Sequence, residues 1–183
     1  MGDNRANEAQ SALWNGPSGL AWVDAQRSLD RMFEPFETLL GDPAVAASAR
    51  RVLDVGCGTG AVTLAIARRL GARAHCTGVD ISARMIAAAQ ARAEREGLAA
   101  SFVLADAQTH AFAPDQFDLI VSRFGVMFFD DPVRAFANLR HAARANAQLR
   151  FVAWRSAADN PFMTTAERVA APLLPNLPAR QPG

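Results

Sequence analysis

Apolar positions in this chain switch repeatedly between a run and a helical period. Residues 51–55 (RVLDV) predict a short buried strand that ends in glycines. From Thr59 to Leu70, Val62, Ala65, Ile66 and Leu70 recur at helical spacing, and Gly71 is a natural stop. The alternation then repeats. Residues 74–80 predict a second strand, and Ser82 an N-cap for an Ala-rich helix that stops at Gly97. Residues 101–106 predict a third strand and 117–124 a fourth, the most apolar. Asp131-Pro132 supplies a capping carboxylate and a proline at the first helical position. Residues 148–154 predict a fifth strand. Upstream, Leu20, Val23, Leu29, Met32, Phe33, Phe36 and Leu40 predict a helix over 20–40 that Pro35 is expected to kink or divide. One short helix is expected after Asn160-Pro161, and the tail PLLPNLPARQPG is a poor candidate for regular structure.

Strand–helix alternation with apolar strands calls for an α/β fold, a doubly wound, mostly parallel sheet with helices on both faces. The expected organisation is an N-terminal helical cap over 1–45, the α/β domain over 46–158, and a short helix with a Pro-rich tail over 159–183. At 183 residues, half of them hydrophobic, the chain is the size of one globular domain. Its 19 basic residues are all arginine and face 18 acidic ones, so the net charge of +1 offers no footprint for nucleic acid. The start MGDNRANEAQ lacks the apolar core of a signal peptide, Ala6 stands where a myristoylation signal wants Ser or Thr, and no uncharged run approaches a membrane span. Cys57 and Cys76 are expected as buried, reduced thiols in a cytoplasmic protein.

The segment Asp54-Val55-Gly56-Cys57-Gly58-Thr59-Gly60 joins the first strand to its helix. Alternate glycines permit positive φ and let backbone N–H groups approach a ligand, and the helix N-terminus points at the same place. Gly56, Gly58 and Ala61 also satisfy the loose dinucleotide fingerprint, a weak signal. Asp54 argues against a pyrophosphate, which it would repel, and favours a ligand with a cationic end.

This run resembles the first motif of class I S-adenosylmethionine-dependent methyltransferases, and the resemblance covers roughly residues 50–155. It implies a Rossmann-like fold with S-adenosyl-L-methionine as cofactor. Gly78-Val79-Asp80-Ile81-Ser82 resembles the second motif, which implies that Asp80 accepts from the ribose hydroxyls while Ile81 and Met85 pack on the adenine. Leu104-Ala105-Asp106-Ala107 resembles the third, implying that Asp106 and the Ala107 N–H meet the adenine edge. Ser122-Arg123-Phe124-Gly125-Val126-Met127-Phe128-Phe129, with Asp130-Asp131-Pro132, lacks the Asn/Asp-Pro-Pro-Tyr/Phe of amine methylators and looks like the ubiquinone/menaquinone-biosynthesis type. Arg123 is thereby implied for the cofactor's carboxylate or an acidic substrate. The stretch from Trp14 to Trp22 resembles segments that fold over the cofactor, so Trp14, Trp22 and Phe128 are candidates for lining an apolar substrate pocket.

Methyl transfer from a sulfonium needs alignment and exclusion of water rather than a nucleophile or metal, so no catalytic residue is assigned, and His110 alone among the histidines merits testing as a base. Two departures from the family stand out. Arg144-Ala145-Asn146-Ala147 replaces the usual Pro-Gly-Gly turn, with Asn146 as the left-handed residue, and the chain ends before the family's last helix and strand pair. The second departure implies either a truncated form or a sheet that stops near strand five, and an uncovered edge strand predicts a homodimer or poor solubility. The expected function is methyl transfer to a small molecule. The alternatives are a non-catalytic cofactor-binding module and, further off, a nicotinamide-dependent oxidoreductase.

Overall fold

The computed structural model describes residues 7–42 and 48–174. The Pro-rich tail from Pro175 onward lies outside the described residues. The chain forms two compact units, one running through Ala153 and one beginning at Trp154. In the first, β1 (Arg51–Val55), β2 (His75–Asp80), β3 (Ala100–Leu104), β4 (Phe117–Arg123) and β5 (Ala143–Val152) make one parallel sheet in the order β3-β2-β1-β4-β5. The strand order reverses between β1 and β4. In open α/β sheets that switch point leaves a crevice at the carboxyl ends of the strands, where ligands bind.

β1 feeds two cores at once. On one face, Val52, Leu119 and Val121 pack beneath Val62, Ile66 and Leu70 of α4 (Ala61–Leu70), with Leu40 at the end of α3 (Gln26–Leu40) closing the layer. On the other, Leu53, Val55, Val79 and Ile120 meet Phe112 and, from α6 (Pro132–Ala142), Leu139 and Ala142. Burial on both faces explains why RVLDV reads as a run rather than an alternation. α5 (Ala83–Glu96) packs on β3 and β2 and starts as its sequence predicts, with the Ser82 hydroxyl accepting from Met85 N at 3.5 Å. α6 starts likewise, with Asp131 Oδ1 accepting from Arg134 N at 2.9 Å and Pro132 at the first position.

Two predicted elements differ. Upstream of the sheet stand α1 (Glu8–Asn15), α2 (Pro17–Asp24) and α3, so the expected helix over 20–40 divides at Ala25 rather than at Pro35, which α3 passes without interruption. Pro35 is exposed, and a proline there costs the helix one backbone bond whose freed acceptor has water within reach. The fifth strand begins five residues earlier than predicted. The expected turn at Arg144–Ala147 is absorbed as a bulge in β5, where the register with β4 jumps from Phe117↔Ala143 to Leu119↔Gln148. Asn146 does take the left-handed conformation, with φ of 63°. In the second unit, Trp154 packs on Phe162 of α7 (Pro161–Ala170) at 5.5 Å.

Candidate cofactor site

Four N–H groups of the glycine loop bond the protein itself. Gly56 N and Cys57 N donate to Val79 O at 2.9 and 3.1 Å, Gly58 N to Asp80 Oδ2 at 2.8 Å, and Gly60 N to Cys57 O at 2.9 Å. With a carboxylate seated on its central amide, this loop is poorly suited to a phosphate, which counts against a nicotinamide dinucleotide.

The glycines serve space instead. A Cβ on Gly125 would strike Val55 O, and one on Gly56 would strike Gly125 Cα, so the ends of β1 and β4 meet backbone to backbone. A Cβ on Gly60 would lie 3.0 Å from Ala89 Cβ and 3.1 Å from Phe102 Cζ. At Gly58 the nearest atom would be Met85 Sδ at 3.7 Å, ordinary contact distance. Of the three motif glycines, Gly58 alone has room beside it that no other described residue fills.

Asp54 is 1 % exposed, and its Oδ2 accepts from Thr63 Oγ1 in the first turn of α4 at 2.6 Å. Burial pushes its carboxyl up to about 6 against the pull of those Thr63 bonds and of Arg123. Burial also raises Asp80, opposed by donors from Ser82, Gly58 and Ile81. Ser82 N meets Asp80 Oδ1 at 2.9 Å. Ala105 N donates to Asp80 O at 2.9 Å, which sets the second and third motifs side by side. Asp106 Oδ1 accepts from Gln108 N at 2.9 Å, but its Oδ2 is buried and finds no partner among the described residues. The same is true of Arg123 Nη1.

These groups are compatible with S-adenosylmethionine: the Asp106 carboxylate would suit an adenine amine, the Arg123 guanidinium a carboxylate, and Asp80 has lone pairs that could accept from a diol. Ile81 is half-buried beside Asp80, Met85 is buried beneath the loop, and Ala107 is buried with its carbonyl accepting from Asn138 Nδ2 at 2.9 Å.

The N-terminal helices bring the aromatic candidates together. The Trp14 ring lies 6.0 Å from Trp22 and 5.2 Å from Phe128, both edge-on. Trp22 stacks on Phe33 at 6.2 Å, and the Arg123 guanidinium sits 5.3 Å over the same Phe33 ring. Burial lowers Arg123 from the ordinary arginine value, while Asp54, Asp30 and Glu37 pull it back. Arginine remains charged regardless. His110 packs edge-on against Phe112 at 4.6 Å.

Several contributors escaped the sequence reading, namely Thr63, Gln108, Gly125, Arg92 and Asn15. Thr63 had a signal, since a hydroxyl in the first turn after a buried acidic strand position is placed to bond it. Both cysteines are free and buried, and burial raises Cys57 well above its ordinary value and Cys76 to about 12, which leaves neither thiol reactive. Among the described residues, no cluster of three or more His, Cys, Asp or Glu side chains gathers to hold a metal, and no helix is long and apolar enough to cross a membrane.

A doubly wound parallel sheet with acidic residues at the ends of β1, β2 and β3 around an open glycine loop defines a nucleoside-binding domain built for a cationic rather than a phosphorylated ligand. The chain belongs to the methyltransferase domain family, which it matches over residues 52–146, and within it to the class I S-adenosylmethionine-dependent enzymes. It is similar to the aklanonic acid methyltransferase DauC of Streptomyces sp. (strain C5), 36% identical over 122 residues that make up 64% of this chain and 56% of that protein. It is also similar to the ubiquinone/menaquinone biosynthesis C-methyltransferase UbiE of Rhizobium meliloti (strain 1021), 40% identical over 78 residues, 42% of this chain and 30% of that one. The plantazolicin methyltransferase BpumL, solved in complex with SAH, shares the fold with a TM-score of 0.57 at 20% identity, covering 72% of this chain and 51% of its own. The chain spans about half the length of the first curated relatives it matches.

Proposed function

We propose that this domain binds S-adenosylmethionine across Gly58 and presents its methyl group to a small organic acceptor. The single observation that carries the reading is the placing of Asp80 next to the Ala105-Asp106 turn, where Asp106 has a buried Oδ2 without a partner among the described residues, beside a glycine with open space at its Cβ. In this reading Gly56, Gly58 and Gly60 shape the loop, Asp80 takes the ribose, Asp106 and the Ala107 N–H take the adenine edge, and Ile81 and Met85 flank the ring. Asp54 lends negative charge to the methionine end from below. When bound, the cofactor supplies a sulfonium, an electrophile strong enough that the protein need only align the acceptor and exclude water.

Trp14, Trp22 and Phe128 form the wall on which an apolar acceptor would rest, and the likeness to DauC and UbiE supports a small-molecule acceptor rather than nucleic acid. The setting proposed is cytoplasmic. β5 lies at a sheet edge with Leu149 and Phe151 about half exposed, which supports the homodimer as a sizing experiment would read it.

Titration calorimetry tests the cofactor assignment. The expected result is micromolar binding of S-adenosylmethionine and S-adenosylhomocysteine with none of NADH, and binding of neither adenosyl compound overturns it. Asp80→Ala should weaken both by about 1.5–3 kcal/mol, the usual worth of hydrogen bonds to a charged group. Unchanged affinity would remove the ribose from Asp80. Arg123→Met separates the two carboxylates open to Arg123. Loss of S-adenosylhomocysteine affinity assigns it to the cofactor's methionine end, and retention assigns it to an acidic acceptor.

A further inference from the structure

Two polar bridges fasten the N-terminal helices to the two loops assigned above to the cofactor, and we infer that Asn15 is a positioning residue that carries the state of the ribose loop to the aromatic wall. The inference rests on the proposed cofactor site. Asn15 ends α1, one residue after Trp14, and its amide grips the loop between β2 and α5 in both senses. Nδ2 donates to Ile81 O at 3.1 Å, and Oδ1 accepts from Ala83 N at 3.0 Å. Between those two points the fully buried Ser82 hydroxyl donates to Trp14 O at 2.8 Å. Ser82 N in turn is held by Asp80 Oδ1. A path from the carboxylate assigned to the ribose therefore runs through Ser82 to the backbone of Trp14, and the Asn15 amide brackets it on both sides; the Trp14 ring in turn touches Trp22 and Phe128.

The corner between α1 and α2 has little freedom to absorb a shift. Gly19 of α2 is buried, and a Cβ on it would collide with Trp14 O. The second bridge pins the neighbouring helix: Arg92 Nη1 donates to Thr59 O at 2.8 Å while Nη2 pairs with Asp30 of α3 at 2.8 Å. With α3 anchored at the glycine loop, a movement of the ribose loop is passed through Asn15 and Ser82 to Trp14 rather than spread over the whole cap. The wall is then set by cofactor occupancy, and the cofactor binds before the acceptor.

The test uses the full chain with Trp22→Phe and Trp154→Phe, which leaves Trp14 as the only indole. S-adenosylhomocysteine is titrated while binding is followed by calorimetry and Trp14 by its emission. The expected result is an emission shift that saturates with the calorimetric affinity. Adding Asn15→Ala, which leaves the Ser82 hydroxyl alone on Trp14 O, should keep the affinity within about tenfold, the cost of one or two ordinary hydrogen bonds, and cut the shift to less than half. Asn15→Asp, which retains only the acceptor for Ala83 N, should keep part of it and guards against a cap that simply detaches. A shift unaltered by Asn15→Ala overturns the inference, as does a parent protein that binds the ligand with no emission change. Absence of calorimetric binding in the parent strikes at the cofactor site itself, and calorimetry reads that failure apart from the emission.

Discussion

Asp54→Asn is expected to make the protein more stable at pH 8 and a poorer binder of S-adenosylmethionine. Burial holds the Asp54 carboxyl near 6, above its ordinary 3.8, despite the Thr63 bonds. The folded state thus keeps the proton more tightly than the unfolded chain does. Stability contributed by this group falls as pH rises between the ordinary value and about 6, and the cost is complete above that. A difference of about two pH units at roughly 1.36 kcal/mol each puts the cost at about 3 kcal/mol as an upper figure. Asparagine keeps an acceptor for Thr63 Oγ1 and carries no charge, so a gain of roughly 1–3 kcal/mol is expected at pH 8, shrinking towards zero near pH 4. The same charge attracts a cationic ligand. Unit charges about six to ten ångströms apart, at an effective dielectric of about 20, attract by roughly 2–3 kcal/mol, so affinity should fall on the order of tenfold or more. Denaturant unfolding at several pH values checks the first half, and a pH-independent difference would mean that Asp54 ionises at its ordinary value.

Gly58 and Gly60 are expected to separate binding from stability, although both belong to one motif. Each has positive φ, 54° and 85°, so alanine at either should cost about 1 kcal/mol in backbone strain. At Gly60 the added methyl also presses on Ala89 and Phe102, which brings the total to roughly 2–4 kcal/mol. At Gly58 the methyl meets only Met85 Sδ at ordinary distance. Gly58→Ala should therefore stay well folded and lose S-adenosylmethionine affinity by about a hundredfold, roughly 2.7 kcal/mol, because the methyl occupies the ligand's space. Melting curves and calorimetry on the two variants make the comparison. Equal losses of stability with equal affinities would place the ligand away from Gly58.

What the sequence made legible was whatever depends on neighbours along the chain. The caps at Ser82 and Asp131 and the strand cores read directly, because a hydroxyl or carboxylate before an apolar period has few other uses. The motif resemblance also picked out Asp80 and Asp106, the carboxylates on which the proposed site rests. The division of the cap at Ala25 did not read, because the helical period ran across it and Pro35 looked the stronger breaker. Nor did the bulge in β5, whose turn-like residues are carried within the strand because Ala143 and Gln148 on either side of it pair with β4. The partners of the loop's N–H groups, Val79 O and the Asp80 carboxylate, did not read for a similar reason, since they come from the next strand. Asn15 and Arg92 act across 68 and 33 positions, far beyond any periodic signal.

The meeting of Gly56 and Gly125 bears on how the ancestry of this domain can be read. Neither position has room for a side chain against the other, so descendants that keep the junction keep both glycines. Two positions that do not vary cannot covary. Contact inference from correlated substitutions would find the packed pairs of the two cores, whose members can trade volume, and would miss the point where β1 and β4 are pressed together at the mouth of the site.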